Sequence, residues 1–254
     1  MSIKFYEGPS TIDGGQIMGY ISGERDPSKN TKTGPALQVG VMVKDVHPST
    51  AAKSGADHSV CGGCPLRPSV HKAEKAVGRE VGDDPCYVTL FFKGAQWRSL
   101  SKAEVRRPIA EAYVADANFV RFGDYGHMSA VPRDVIEPML KSAKKWTMYT
   151  HEWRKPENQW LRHYAMASVH SEAERLEAKA LGWRTFRILS EGEEPVSGEI
   201  ACPFETHGVQ CIKCGLCNGA FHLSERTETF SVIPEWGGEP FVPSSLKDIT
   251  IYSH

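Results

Sequence analysis

The chain of 254 residues carries 30 lysines and arginines against 31 aspartates and glutamates, and 40% of its residues are hydrophobic. This balance supports a folded core and excludes a disordered tail, a collagen-like fibre and a strongly basic coat for nucleic acid. No segment approaches the ~18 consecutive apolar residues of a membrane span, and the first ten residues lack the apolar stretch of a signal peptide. We therefore expect a cytoplasmic protein with no membrane partner, and the net charge does not indicate a nucleic-acid partner.

The first third of the chain contains few regular elements. Residues 1–35 are rich in Gly, Ser, Thr, Asp and Lys, which predicts an irregular lead-in. The apolar run at 36–43 predicts the first strand, buried on both faces. A loop region with a short charged helix follows, and 87–92 predicts a strand, although so short an apolar run could also open a helix. A helix is predicted over 101–117, with a break at Pro108.

Strands and helices alternate in the next part of the chain. A helix is predicted over 132–146, with Val135, Met139 and Leu140 on its buried face. The predicted strands lie at 119–122, 147–150, 164–169 and 184–189.

The segment Ser171-Glu-Ala-Glu174 is a capping box and begins a helix. This helix is expected to bury Ala173, Leu176 and Ala180 and to end at Gly182, a left-handed cap. A strand, a capped helix and a second strand form a βαβ unit, which requires a parallel sheet.

Repeated units of this kind predict an α/β fold, either a doubly wound sheet or a complete or partial β/α barrel with mostly parallel strands. No GxGxxG or GxxxxGK[ST] motif follows the first strand, which favours the barrel. We predict a barrel-like domain over 36–197 that carries the first cysteine group. Residues 198–254 are predicted to be a cysteine-rich, metal-binding extension with a late strand near 227–233.

The second cysteine group predicts a metal centre. Its spacing is C-x8-C-x2-C-x2-C, and its members are Cys202, Cys211, Cys214 and Cys217. Three thiolates on a C-x2-C-x2-C loop with a remote Cys-Pro ligand suit a [4Fe–4S] cubane. Four thiolates also make a tetrahedral zinc site, so zinc remains the alternative.

The first group, Cys61, Cys64 and Cys86, contains only three cysteines. A zinc ion there would need a fourth ligand, for which His58, His71 and Asp84 are candidates. A [4Fe–4S] cluster on three cysteines would instead leave one iron open, and open metal positions are typical of reactive sites.

A cysteine loop after the first strand of a βα-repeat domain resembles the radical S-adenosylmethionine (SAM) enzymes. Their usual C-x3-C-x2-C is absent, but C-x2-C-x21-C is similar to the atypical spacing in the catalytic subunit of carbon–phosphorus lyase. The resemblance implies a [4Fe–4S] cluster that binds SAM, an electron donor, and a 5′-deoxyadenosyl radical that abstracts hydrogen from an unknown small-molecule substrate.

Several phrases between residues 32 and 219 also resemble an uncharacterised family encoded by phages and bacteria. They are VRFGDYG, YTHEW, MASVHSEAE, LGWRTFRI and GEIACP. This resemblance implies a phage protein that works in the host-cell cytoplasm, but it implies no particular reaction.

In a β/α barrel, residues at the carboxyl ends of the strands face the active site. Arg121 and Arg187 suit a carboxylate or phosphate, and His151 suits acid–base chemistry or metal binding. The resemblance to radical SAM enzymes implies that Asp124 receives the methionine amino group, with a turn aspartate as the structural alternative. The candidate catalytic residues are Asp124, His151 and Arg121, and the candidate cofactor-binding residues are Gly123, Asp124, Tyr125, Ser168 and Arg187.

Two classes of function follow from these motifs. The first is an iron–sulfur protein with two [4Fe–4S] sites, either a radical-SAM-like enzyme or a non-catalytic electron carrier or redox sensor. The second is a zinc-stabilised interaction module that binds nucleic acid or a host protein.

Overall fold

The computed structural model describes residues 2–23, 30–77, 86–190, 192–219, 233–236, 239–241 and 248–252. The chain divides into two compact units. The first unit comprises Met1–Ser28 and Ala36–Lys144, and the second comprises Lys29–Pro35 and Lys145–His254. Both combine helices with parallel strands, so the predicted α/β class is confirmed.

The first unit is built on a sheet with the order β1-β2-β3-β4. Its strands are β1 (Ser2–Pro9), β2 (Gln16–Ser22), β3 (Leu37–Val43) and β4 (Val120–Phe122). β2 runs antiparallel to both β1 and β3, whereas β3 and β4 are parallel. The predicted strands at 36–43 and 119–122 are confirmed as β3 and β4.

Residues 1–35 differ from the predicted irregular lead-in, because they contain the antiparallel pair β1 and β2. The polar composition of the whole segment concealed two short apolar runs. Ile17, Met18 and Ile21 of β2 are completely buried, and Phe5 of β1 is nearly so. Packing of these side chains orders a segment whose composition predicts loops.

The described part of the first unit also contains helices. They are α1 (Pro48–Ser54), α2 (His58–Cys61), α3 (Pro68–Ala76), α4 (Leu90–Ser101), α5 (Arg107–Asp116), a 3₁₀ turn (Met128–Ala130) and α6 (Arg133–Ser142). The strand predicted at 87–92 is wrong, since Leu90 opens α4. An apolar run this short does not distinguish strand from helix. The predicted break near Pro108 is confirmed, because Pro108 lies in the first turn of α5.

The second unit contains a parallel sheet with the order β5-β6-β7-β11-β8. Its strands are β5 (Trp146–Thr150), β6 (Met166–Val169), β7 (Thr185–Leu189), β8 (Glu199–Ala201) and β11 (Asp248–Tyr252), with a separate antiparallel pair β9 (Ile233–Trp236) and β10 (Glu239–Phe241). Its helices are α7 (Glu172–Ala180), α8 (Pro203–His207) and α9 (Cys211–Cys214), with 3₁₀ turns at Glu152–Arg154 and Pro156–His163.

The predicted βαβ unit is confirmed as β6-α7-β7. Ser171 Oγ accepts from the Glu174 N–H at 3.2 Å, as the capping box predicts, but the Glu174 carboxylate accepts from the His170 N–H rather than from Ser171. Gly182 follows the helix with φ of +80°, as predicted.

The predicted buried face of α7 is wrong. Ala173, Leu176 and Ala180 are exposed, and Arg175 and Ala178 are buried instead. Arg175 is buried because it pairs with Asp248 of β11, a contact that no local pattern encodes. In α6, by contrast, Val135, Met139 and Leu140 are buried as predicted.

The domain division differs from the prediction. The segment 36–197, expected as one barrel-like domain, is divided between the two units at residues 144 and 145. Residues 198–254 are not a separate extension, because β8 and β11 belong to the sheet of the second unit. Within each unit, the strands that the structure describes are arranged in an open order. Of the late strand predicted near 227–233, all but Ile233 lies outside the described residues.

No helix among the described residues is both long enough and apolar enough to span a membrane.

Candidate metal centres

The structure brings together the three predicted cysteines of the first unit, which we call the first centre. Cys61 ends α2, and the N–H of Cys64 donates to the Cys61 carbonyl at 3.1 Å. Burial raises the pKa of the Cys61 thiol well above its usual value, and the neighbouring Cys64 and Cys86 raise it further. Thiols affect one another in this way only when they are close in space. Residues 61, 64 and 86 therefore converge despite the long spacing.

Backbone N–H groups point at two sulfurs of the first centre. Leu66 donates to Cys64, and Val88 donates to Cys86. These bonds favour thiolates, but burial outweighs them and raises the pKa of Cys64 to about 12. A bound cation compensates the buried negative charge and replaces the thiol protons. The donor set therefore fits a metal centre.

A buried ion pair shapes the loop around the first centre. Arg67 donates to Asp57 Oδ1 from Nε and Nη2 at 3.0 and 2.7 Å, and to the Gly62 carbonyl at 3.2 Å. Gly62 has φ of +52°, which requires glycine between the two cysteines. The Arg67 side chain thus holds the loop that carries Cys61 and Cys64 in place.

Tyr125 provides a second indication that this centre holds a group. The side chain is 4% exposed and packs in the same cluster as Cys61. Burial raises the pKa of Tyr125, and Cys61 raises it further, so the phenol is neutral and a hydrogen-bond donor. Its Oη has no hydrogen-bond partner among the described residues. A buried hydroxyl beside thiols fits a site whose acceptor, a sulfur or sulfide, arrives with the metal.

The other predicted residues near the end of β4 have partners within the unit. The Asp124 carboxylate accepts from Lys93 Nζ and from Tyr20 Oη, the latter at 2.9 Å. The guanidinium of Arg121 lies 5.6 Å from the ring centre of Tyr87. Gly123 adopts φ of +87° and donates to the Val39 carbonyl. The Asp124 carboxylate is therefore paired with a lysine and a hydroxyl of its own unit.

Sequence reasoning missed His127. One of its ring nitrogens lies within 4.8 Å of Cys64 Sγ. Of the three fourth-ligand candidates predicted from sequence, His58 pairs with Asp13 at 3.0 Å, His71 lies on α3, and Asp84 is outside the described residues. The signal that could have found His127 is its position directly after Gly123-Asp-Tyr-Gly126, at the carboxyl end of β4.

The four cysteines of the second unit also converge, and we call them the second centre. Cys202 precedes α8, Cys211 and Cys214 are the ends of α9, and Cys217 follows. Burial raises the pKa of Cys214 to about 11, with further contributions from Cys211 and Cys202. The pKa of Cys217 is raised by burial and by Cys214, Cys211 and Cys202. Two short helices, α8 and α9, thus bring together cysteines that are up to 15 positions apart.

The second centre is surrounded by donors and by one buried positive charge. The Tyr149 hydroxyl donates to Cys217, and the Leu216 N–H donates to Cys214. Arg184 is 7% exposed and donates to the Leu216 carbonyl at 2.8 Å and to the Gly219 carbonyl at 3.2 Å. Burial lowers the pKa of Arg184, whereas Cys217 and Asp248 raise it. Hydrogen-bond donors and a buried guanidinium suit a bound group with a net negative charge.

The segment 29–35 forms part of the support of this centre. The N–H groups of Cys211 and Ile212 donate to the carbonyls of Lys32 and Thr33 at 2.9 and 3.1 Å. Lys32 also pairs with Glu205 of α8 at 3.3 Å. These bonds fix the start of α9, so the cysteine positions are set by residues from the other end of the chain.

The remaining predicted residues lie in the strands of the second unit or directly after them. His151 Nε2 and His170 Nε2 are 3.0 Å apart, and their rings are stacked. Burial lowers the pKa of His170, so this imidazole is neutral at pH 7. Ser168 is buried, and its carbonyl accepts from Trp153 Nε1. Arg187 forms a buried bidentate pair with Glu199 at 2.9 and 2.7 Å, so its anionic partner comes from the chain itself.

Comparison of the chain with protein-family models, curated proteins and solved structures gives no match.

Proposed function

We propose that this chain is an iron–sulfur protein that holds one [4Fe–4S] cluster in each unit. The observation that carries the proposal is the second centre, where four cysteines, three of them on a C-x2-C-x2-C loop, converge beside the buried guanidinium of Arg184. Cys202, Cys211, Cys214 and Cys217 would hold the auxiliary cluster. Such clusters transfer single electrons at potentials set by hydrogen bonds to the sulfurs, burial and net charge.

The surrounding side chains support this assignment. A cluster with four thiolates is an anion, and the buried guanidinium of Arg184 offsets part of that charge. The Tyr149 hydroxyl and the Leu216 N–H reduce the electron density on the sulfurs that accept from them. Both effects favour the reduced, more negative state, so these groups would raise the reduction potential.

At the first centre, Cys61, Cys64 and Cys86 would hold the second cluster. Three cysteines leave one iron without a thiolate, and the radical-SAM-like version of the proposal places SAM there. A partial β/α barrel would suit that version, and the parallel strands of both units are its structural support. Asp124 does not support it, because its carboxylate is already paired with Lys93. We therefore place SAM binding second to a redox role served by a cytoplasmic electron donor.

Anaerobic purification followed by iron, sulfide and zinc analysis tests the proposal. We expect about eight iron and eight sulfide per chain, a brown protein, and an EPR signal on reduction. A colourless chain loaded with zinc would overturn it in favour of a zinc-stabilised interaction module. SAM is then added to the reduced protein, and a changed EPR signal together with 5′-deoxyadenosine would establish the enzymatic version. An unchanged signal without this product would leave the redox role.

A further inference from the structure

We infer that His127 is the fourth ligand of the first centre and completes a Cys₃His set with Cys61, Cys64 and Cys86. The inference rests on the proposed function, because it assigns a ligand to the cluster proposed there. His127 belongs to no metal-binding sequence motif, and the fold brings it close to Cys64. An imidazole would then occupy the position that the three-cysteine pattern leaves open.

The side chains of His127 and Cys64 lie close together. A ring nitrogen of His127 and the Sγ of Cys64 lie within 4.8 Å of each other. Zn–S and Zn–N bonds of about 2.3 and 2.0 Å would place such ligands about 3.5 Å apart on one ion, and neighbouring irons of a cluster increase this separation. This upper limit places the His127 ring within reach of a metal held by Cys64.

The backbone holds His127 against the cysteine loop. Its N–H donates to the carbonyl of Val60, the residue before Cys61, at 2.7 Å. Its own carbonyl accepts from Ala130 at 3.0 Å. Both bonds use main-chain atoms, so they hold the backbone of His127 beside the cysteine loop.

Gly126 makes this approach possible. It has φ of +70°, and a Cβ there would lie 2.5 Å from Val41 Cγ2 and 3.0 Å from the Val60 carbonyl. The turn after β4 thus packs directly on the end of α2, which carries Cys61. Only glycine permits this contact, because it needs both the positive φ and the missing side chain.

Other candidate groups of the first unit have different roles. His58 pairs with Asp13, and Asp124 pairs with Lys93. Among these groups, His127 is the one whose chemistry and position both suit a metal.

A histidine ligand changes what the first centre can do. A neutral imidazole in place of a thiolate makes the ligand set less negative, which favours the reduced state of an iron–sulfur cluster. It also means that a small molecule, SAM included, has to displace His127 to reach the iron. The first centre would then be a histidine-ligated redox centre with one exchangeable ligand.

Pulsed EPR on the dithionite-reduced full-length protein, grown with ¹⁵N-histidine, tests the inference. We expect a strong ¹⁵N coupling to the cluster in the wild type and in His58→Ala, the matched control. The coupling should vanish in His127→Ala and in His127→Cys, and His127→Cys should keep its full iron content. If His127→Ala does not fold, His127→Cys makes the same test, because its thiolate replaces the lost ligand.

The outcomes separate this inference from the proposed function. Iron-loaded wild type without histidine coupling, or coupling that persists in a folded His127 variant, would refute the ligand assignment and leave the clusters in place. A chain that binds no iron would refute the proposed function itself.

Discussion

Arg187 was predicted from sequence to bind an anionic cofactor, but the structure gives it a partner inside the chain. Its guanidinium is 2% exposed and donates to both carboxylate oxygens of Glu199. We predict that Arg187→Met destabilises the second unit and has no direct effect on ligand binding. The reason is that the substitution leaves the Glu199 carboxylate buried with only part of its compensation.

The magnitude follows from what remains around Glu199. Removing one partner of a buried ion pair costs about 3–5 kcal/mol. Glu199 keeps the Val196 N–H at 3.0 Å and Arg175 Nε at 3.7 Å. The loss should therefore be near the lower end, about 3 kcal/mol, which lowers the melting temperature by roughly 10 °C in a chain of this size.

Urea unfolding of the metal-loaded protein, followed by circular dichroism, measures this loss. Arg154→Met is the matched control in the same unit, because the 45% exposed Arg154 pairs with Glu177 at the surface and should lose no more than about 1 kcal/mol. The double variant Arg187→Met/Glu199→Leu should be more stable than Arg187→Met, since no unpaired charge remains. Equal losses in Arg187→Met and Arg154→Met would refute the reasoning and restore Arg187 as a candidate ligand-binding residue.

The remaining predictions concern the two centres and the cap of α7. Cys61→Ser should remove about half of the bound iron and Cys211→Ser the other half, because each centre has its own ligands; iron analysis checks this, and loss of all iron in either variant would contradict it. Gly126→Ala should cost about 2–4 kcal/mol and empty the first centre, whereas Gly14→Ala, with φ of +79° and open space around it, should cost only about 1 kcal/mol and keep its iron; thermal melts and iron content distinguish the two, and equal effects would refute the packing argument. Ser171→Ala should cost about 1 kcal/mol because the Glu174 N–H loses its acceptor; a melting temperature equal to that of the wild type would show that this cap contributes nothing.

The sequence by itself determined the features that depend on near neighbours along the chain. The helical period of α6, the capping box before α7 and the βαβ unit are local patterns, and the structure contains them. The partition of the cysteines into three and four was also readable, because the two groups lie in distant parts of the chain.

Only the tertiary structure decided which groups surround those cysteines. His127 is 63 residues from Cys64 along the chain, and Arg184 is 33 residues from Cys217. Arg187 pairs with Glu199, which follows it by 12 residues. The pairing of Asp124 with Lys93 and the burial of β1 and β2 likewise depend on packing between distant segments. Spacing along a chain specifies which side chains could act as ligands, but burial, charge compensation and the fourth partner depend on distances that the fold alone sets.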